Sequence, residues 1–447
     1  MRAALIIALA IAAAAVHYAN GSPAGASAYL FCAVVLAAFA IYSRGLRGKN
    51  YWLSLTGLAE AWFLFEYCIY GTAVSVLARS KTPLAAPIDD AYARTYLIGA
   101  LAFAAFAIGA HLGFTRPHLP RLRRPRPSRW VYLLFTVAGV LSIAVLLHDP
   151  ESRQQLLYSH VGLAPREGMG RYTALLFMLP TTAVGLWYLW PRARRHARFF
   201  TMAALFLVAV IHLGCGRRLM WAGTMLMIFH LLKVRGIFTL RARHLAATLP
   251  IVLLVSVWME SSKNTGWTVA ADSINIQSLT DRQRIFDMVD NSAGRFDTTA
   301  ALITDRDTEP YYYGKTFLLA PLQVLPVSAG LPRSLGVREE LGELIYGSFG
   351  AGLASQEASL VGELYANFSS AGVLAGFLLV GFFAAWLDAR CHHSRQPLIA
   401  IGYGLCLFRA VHQLATASTS WFPLTFLAFL PWLYAWAVSR FPRRSLA

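Results

Sequence analysis

Apolar segments long enough to cross a bilayer recur along most of this 447-residue chain. Lipid offers no hydrogen-bond partners, so a spanning segment must satisfy its own backbone, and runs of about 20 residues do so as helices. With 57% hydrophobic and only 14% charged residues, the composition lies outside that of ordinary globular domains. The expected fold is therefore an all-α, multi-pass transmembrane helical bundle of about 12 spans. These fall near 3–19, 27–43, 52–78, 94–114, 130–147, 172–190, 199–215, 219–233, 245–260, 370–387, 397–415 and 421–438. Spans one to nine fill 1–260, a large loop fills 261–369, and spans ten to twelve fill 370–447.

A net charge of +18 would suit nucleic acid, but the basic residues cluster in short loops between apolar segments. Positive charge there orients membrane helices, and no basic soluble domain is present, so nucleic acid is excluded as a partner. The loops SRGLRGKN, TRPHLPRLRRPRPSR, PRARRHAR, KVRGIFTLRARH and DARCHHSRQ and the tail SRFPRRSLA share one side, with Asp388 as their single acid. The interval from Ser261 to Ser370 instead holds 13 of the 22 Asp and Glu against 8 basic residues. This asymmetry puts both termini in the cytoplasm and the long interval outside. The first apolar run also reads as a cleavable signal peptide, whose removal leaves the later orientation unchanged. Cys32, Cys68, Cys215, Cys391 and Cys406 form no readable disulfide or zinc framework.

The external interval is rich in apolar and aromatic residues, which argues against disorder. In SLTDRQRIFDMVDNSAGRF, Thr280 and Gln283 have capping-box spacing, and Ile285, Met288, Val289 and Phe296 recur near helical period. That predicts an amphipathic helix on the membrane surface. Tyr311, Tyr312 and Tyr313 suit the headgroup level, and TFLLAPLQVLPVSAGLPR, broken by Pro321, Pro326 and Pro332, suits a re-entrant segment. Gly347, Gly350, Gly352, Gly362, Gly372 and Gly376 permit close backbone approach to a helix or a bulky ligand, with helix packing favoured for Gly372 and Gly376.

Arg217 and Arg218, in CGRRLMW between two spans, suit either lipid headgroups or a diphosphate, which guanidinium forks bind bidentately. Arg295 supplies a further cation, and Arg409 lies inside span eleven, where an ionisable group is costly and marks a functional hypothesis. Pairing of Arg409 with Glu60 or Glu66 of span three is the structural alternative. Glu357 and Glu363 are the candidate general bases, with Asp297 another acid near Arg295, while Tyr365 and Asn367 suit hydrogen bonding to sugar hydroxyls. Asp305-Arg306-Asp307 has the spacing of a metal-binding DxD motif, a weak signal, and no metal or cofactor is expected. Histidine is absent from Ser261 to Ser370.

Taken together, GRR after an outward span, RFDTTAALI opening the large loop, the YGKTF and Pro-rich segment, and EASLVGELYANFSSAGVLAGFLLVGF resemble the Wzy-type oligosaccharide repeat unit polymerases of O-antigen, capsule and exopolysaccharide assembly. The resemblance covers roughly Leu213 to Trp386. It implies a GT-C-like helical fold in a bacterial inner membrane, with a periplasmic active site. It also implies a metal-independent, inverting transfer of a glycan from undecaprenyl diphosphate to the non-reducing end of another lipid-linked repeat unit. Arg217, Arg218, Arg295 and Arg409 would then recognise diphosphate, Glu363 or Glu357 would deprotonate the acceptor, and Tyr365 and Asn367 would hold it. A chain-length regulator and a flippase are the implied protein partners.

There are two alternatives, one a related enzyme and one of a different class. An O-antigen ligase would use a histidine in its large periplasmic loop, and this loop has none. A lipid-linked oligosaccharide flippase or other transporter would line its path with Glu60, Glu66 and Arg409, but such proteins have short loops and internal repeats.

Overall fold

The computed structural model describes residues 26–28, 30–32, 35, 53–72, 88–115, 129–150, 152–153, 170–190, 199–200, 202–207, 218–237, 295–307, 309–324, 358–416 and 418–440. Among them all regular structure is helical, without strands, and five helices are long and apolar enough to cross a membrane. In chain order the helices are α1 (Leu55–Phe63), continued by a π-helical turn over Leu64–Gly71, α2 (Ile88–Thr115), α3 (Arg129–His148), α4 (Gly170–Leu189), α5 (Arg218–Val234), α6 (Phe296–Asp305), α7 (Lys315–Leu319), α8 (Leu360–Cys391), α9 (Pro397–Ala415) and α10 (Ser418–Arg440). The membrane-length segments lie in α2, α3, α8, α9 and α10, where the sequence places spans. Spans 3–19 and 245–260 and the amphipathic stretch before Arg295 lie outside the described residues, and spans 27–43, 52–78 and 199–215 only partly within them.

The chain divides into two units. Unit 1 comprises Met1–Pro117, Val289–Ala389 and Ala410–Pro423. Its core is aromatic: Phe63 lies 5.3 Å from Phe103 and 5.5 Å from Phe377 between ring centroids. α2 and α8 cross at backbone contact. A Cβ on Gly109 would stand 2.0 Å from the Leu378 carbonyl oxygen, one on Gly113 2.3 Å from that of Phe382, and one on Gly381 2.1 Å from that of Phe106. Small residues repeated four apart permit such an approach in a membrane.

Asp388 explains why one acid stands in an otherwise basic loop. Its carboxylate accepts from the Leu55 and Thr56 amides at 2.9 and 3.0 Å and from the Thr56 hydroxyl at 2.6 Å. It caps the N-terminus of α1, where free N–H groups and the helix dipole both favour an anion. Asp388→Ala is expected to destabilise unit 1 by about 2–3 kcal/mol, because these buried donors lose a charged acceptor; thermal unfolding in nanodiscs measures it.

Unit 2 comprises His118–Met288, Arg390–Arg409 and Leu424–Ala447. Here α3 and α4 run antiparallel, with Gly139 against Leu179 and Gly185 against Tyr132. Arg235 donates to the carbonyls of Trp187 and Tyr188 while its guanidinium lies 4.7 and 4.4 Å from their rings, so a cation closes the C-terminal end of α4. α5 ends with Gly236 at φ 74°, which lets the Ile237 amide reach back to the Leu232 carbonyl at 3.0 Å.

In the turn after α8, His392 meets the Lys233 ammonium through Nε2 and the Tyr403 hydroxyl through Nδ1 at 3.0 Å. Burial, and then Lys233, push its imidazole down to about 2. Below its ordinary value near 6.5 the unfolded chain binds a proton that the folded chain refuses, so stability falls as pH falls. The expected slope is up to about 1.4 kcal/mol per pH unit between roughly pH 6 and 4. Unfolding midpoints across that range should decline in the parent and decline less in His392→Asn.

Candidate functional site: a broken helix with a buried carboxylate

The segment GELYANFSSAG reads as uninterrupted helix, yet α8 breaks within it. Phe368 has φ −143°, ψ 17° and Ser369 φ 58°, ψ −159°. The second pair lies in a region that side chains avoid, at a cost of about 1–3 kcal/mol. The break frees the carbonyls of Ala366 and Asn367, and a neighbouring turn takes them up: the Tyr312 and Tyr313 amides donate to them, each at 3.0 Å. Tyr313 is itself left-handed at φ 51°. Gly314 follows at φ 85°, with no room for a side chain, since a Cβ would lie 2.8 Å from the Phe368 ring. Tyr313 and Ser369 are the non-glycine residues with positive φ among the described residues, and both stand at this break. Beyond the break Gly372 faces Phe368 and the Leu364 carbonyl, and Gly376 the Leu364 side chain, contacts within their own helix where the sequence favours packing against another.

Glu363 lies one turn before the break and has no exposed surface. Its Oε1 accepts from the Thr316 hydroxyl at 2.8 Å and the Ser418 hydroxyl at 2.5 Å, and its Oε2 from the Ser418 amide at 2.7 Å. Asn367, also fully buried, donates to Thr316 Oγ1 and to the Glu363 carbonyl, each at 2.8 Å, and accepts from the Gly314 amide at 3.0 Å. Its amide is therefore committed to holding the turn against the broken helix, and a sugar hydroxyl could reach Glu363 only by displacing Ser418 or Thr316. Tyr365 is buried too; its hydroxyl accepts from Arg94 Nη2 at 2.6 Å, and Arg94 Nη1 pairs with Asp307.

Arg295 opens α6, and Phe296 turns inward. All ten residues of α6 are buried, and the Phe296 ring lies 4.7 to 5.6 Å from those of Tyr96, Tyr92 and Tyr67. The Arg295 amide donates to Glu66 Oε1 at 2.9 Å, so Glu66 meets Arg295 within the π-helical turn. Among the described residues, Glu66 Oε2 and Arg295 Nε have no hydrogen-bond partner. π-Helical turns recur at functional sites, and two buried polar atoms without hydrogen-bond partners at one helix start fit that pattern. Asp297 is buried beside them and accepts from the Thr298 amide. Further along α6, the Thr299 and Ser359 hydroxyls meet at 2.9 Å, tying this helix to the segment that leads into Glu363.

Glu363, Tyr365 and Asn367 thus come together on one helix, with Arg295 on a helix packed beside its start. Arg409 belongs to unit 2, buried in α9 with its guanidinium 4.9 Å from the Phe408 ring. Arg218 begins α5, and Arg217 and Glu357 lie outside the described residues. The acids of the DxD pattern are both engaged by arginines: Asp305 binds Arg306 at 2.6 Å, and Asp307 binds Arg94. Thr316, Ser418 and Arg94 were not expected. Only Arg94 left a trace in the sequence, as a cation in the first turns of an apolar helix. No protein-family model matches the chain, and neither a curated protein nor a solved structure matches it.

Proposed function

We propose that this protein is a polysaccharide polymerase of the Wzy type, a glycosyltransferase of about 12 spans and GT-C-like arrangement in a bacterial inner membrane. The observation that carries the reading is the helix break at Phe368–Ser369. It falls inside the segment that bears the resemblance, and the half-helix before it carries both the buried Glu363 carboxylate and Tyr365, which binds the partly exposed Arg94–Asp307 pair. Backbone irregularity of this kind at a span end is tolerated where it is buried in protein or lines a cavity.

In the reaction, a hydroxyl oxygen of one lipid-linked repeat attacks the anomeric carbon of the growing glycan. The bond to diphosphate breaks, and polyprenyl diphosphate leaves with the electron pair. Arg295, at the start of α6, supplies positive charge against it, and neutralising that charge is the main electrostatic demand of the step. Glu363 positions Ser418 and Thr316, and the proton passes to Glu357. The purified protein in nanodiscs, given a polyprenyl diphosphate-linked repeat unit and EDTA, should produce a ladder of glycans spaced by one repeat. Discontinuous helices also build transporter sites, which supports a flippase as the second reading. Substrate crossing the bilayer of proteoliposomes without elongation would favour it.

A further inference from the structure

We propose that Arg94, Asp307, Tyr311 and Tyr313 form a subsite for one pyranose ring of the glycan, beside the broken helix; this rests on the polymerase reading. A pyranose has apolar C–H faces and a rim of hydroxyls, so a protein binds it with an exposed aromatic face next to fixed donors and acceptors. All three are present here. The Arg94 and Asp307 side chains are 36% and 49% exposed, and they hold one another while Arg94 also bonds Tyr365. Among the described residues, the Arg94 side chain bonds only these two partners, and Asp307 bonds Arg94 through Oδ2 alone, leaving the other guanidinium N–H groups and Oδ1 for hydroxyls. The Tyr311 ring lies edge-on to Tyr365 at 6.1 Å, and Arg94 lies 5.8 Å from the Tyr365 centroid, so the cluster has a firm aromatic floor.

Two residues on, Tyr313 is 76% exposed. A headgroup anchor needs no particular backbone. Tyr313 is instead held left-handed, with its amide fixed to the Asn367 carbonyl. A strained residue kept in place by the helix break, with its ring left exposed, fits a ligand contact better than a lipid contact.

The test uses the full-length protein in nanodiscs and, as probe, the free oligosaccharide repeat released by mild acid from the host's lipid-linked pool. Saturation-transfer NMR should detect binding to the parent. In Tyr313→Gly it should weaken at least tenfold, with an unfolding midpoint unchanged or higher, because glycine relieves the positive φ while little packing is lost. Arg94→Gln should weaken binding as well. Equal binding by the parent and Tyr313→Gly overturns the subsite, and a normal glycan ladder from that variant would leave the polymerase reading standing. Poorer nanodisc incorporation with binding intact would make Tyr313 a headgroup anchor and also overturn the subsite. A parent that neither binds the probe nor elongates lipid-linked repeats removes both readings.

Discussion

Glu363→Ala is expected to be the most damaging substitution in unit 1, with a loss of about 3–5 kcal/mol. The Ser418 amide cannot turn away, and the Thr316 and Ser418 hydroxyls lose the charged acceptor they share. Buried hydrogen bonds to a charged group contribute about 1.5–3 kcal/mol each, and an orphaned buried donor costs about 1–3. Against a total stability of roughly 5–15 kcal/mol, the variant should accumulate poorly and unfold early in detergent or nanodiscs. Glu363→Gln separates structure from chemistry. The amide oxygen can still accept from the Ser418 amide, and the two hydroxyls can rotate to meet the new NH₂. If Glu363 positions Ser418 and Thr316, this variant should elongate glycan within about tenfold of the parent. A well-folded Glu363→Gln with activity down by about 10²–10⁴ would make it the proton acceptor instead.

Gly109→Leu should have an effect of similar size for a different reason. The added Cβ would stand 2.0 Å from the Leu378 carbonyl oxygen and 2.9 Å from the Phe382 amide nitrogen. Both are backbone atoms, so no rotamer change relieves the clash, and α2 and α8 must separate. Overpacking costs about 1–3 kcal/mol where side chains can yield, and more is expected where backbone must move. Separation would also pull Arg94, on α2, from Tyr365, on α8, so the glycan ladder should be lost together with stability. Gly139→Ala, where the nearest atoms belong to the Leu179 side chain at 3.0 Å, is the mild comparison; both are read by thermal unfolding.

α6 shows how a buried helix escapes a sequence reading. FDTTAALITD carries two acids and three threonines, and by pattern alone it opens the large external loop. The threonines cover their own polarity: Thr298 donates to the Arg295 carbonyl, Thr304 to those of Ala300 and Ala301, and Thr299 meets Ser359. Polar letters that bond locally or to a partner segment look the same in sequence as those that face water. Glu363 and Asn367 were legible as candidates, because polar groups beside an apolar run invite a role. Their partners were not: Ser418 lies 55 residues away and Thr316 47, and nothing local marks either.

The sequence by itself determined that the chain is helical and apolar enough for a membrane, and it located the helices of membrane length, because lipid leaves a backbone no alternative to bonding within its own segment. It also drew attention to the small-residue stretch around Gly372 and Gly376. Only the tertiary structure decided where α8 breaks, since a helix gives up its own hydrogen bonds only where other donors stand ready, and the Tyr312 and Tyr313 amides come from a turn more than 50 residues earlier. It likewise decided that Asp388 caps α1 and that Arg94 meets Tyr365. Each is a contact between segments far apart in the chain, and local pattern carries no record of such partners.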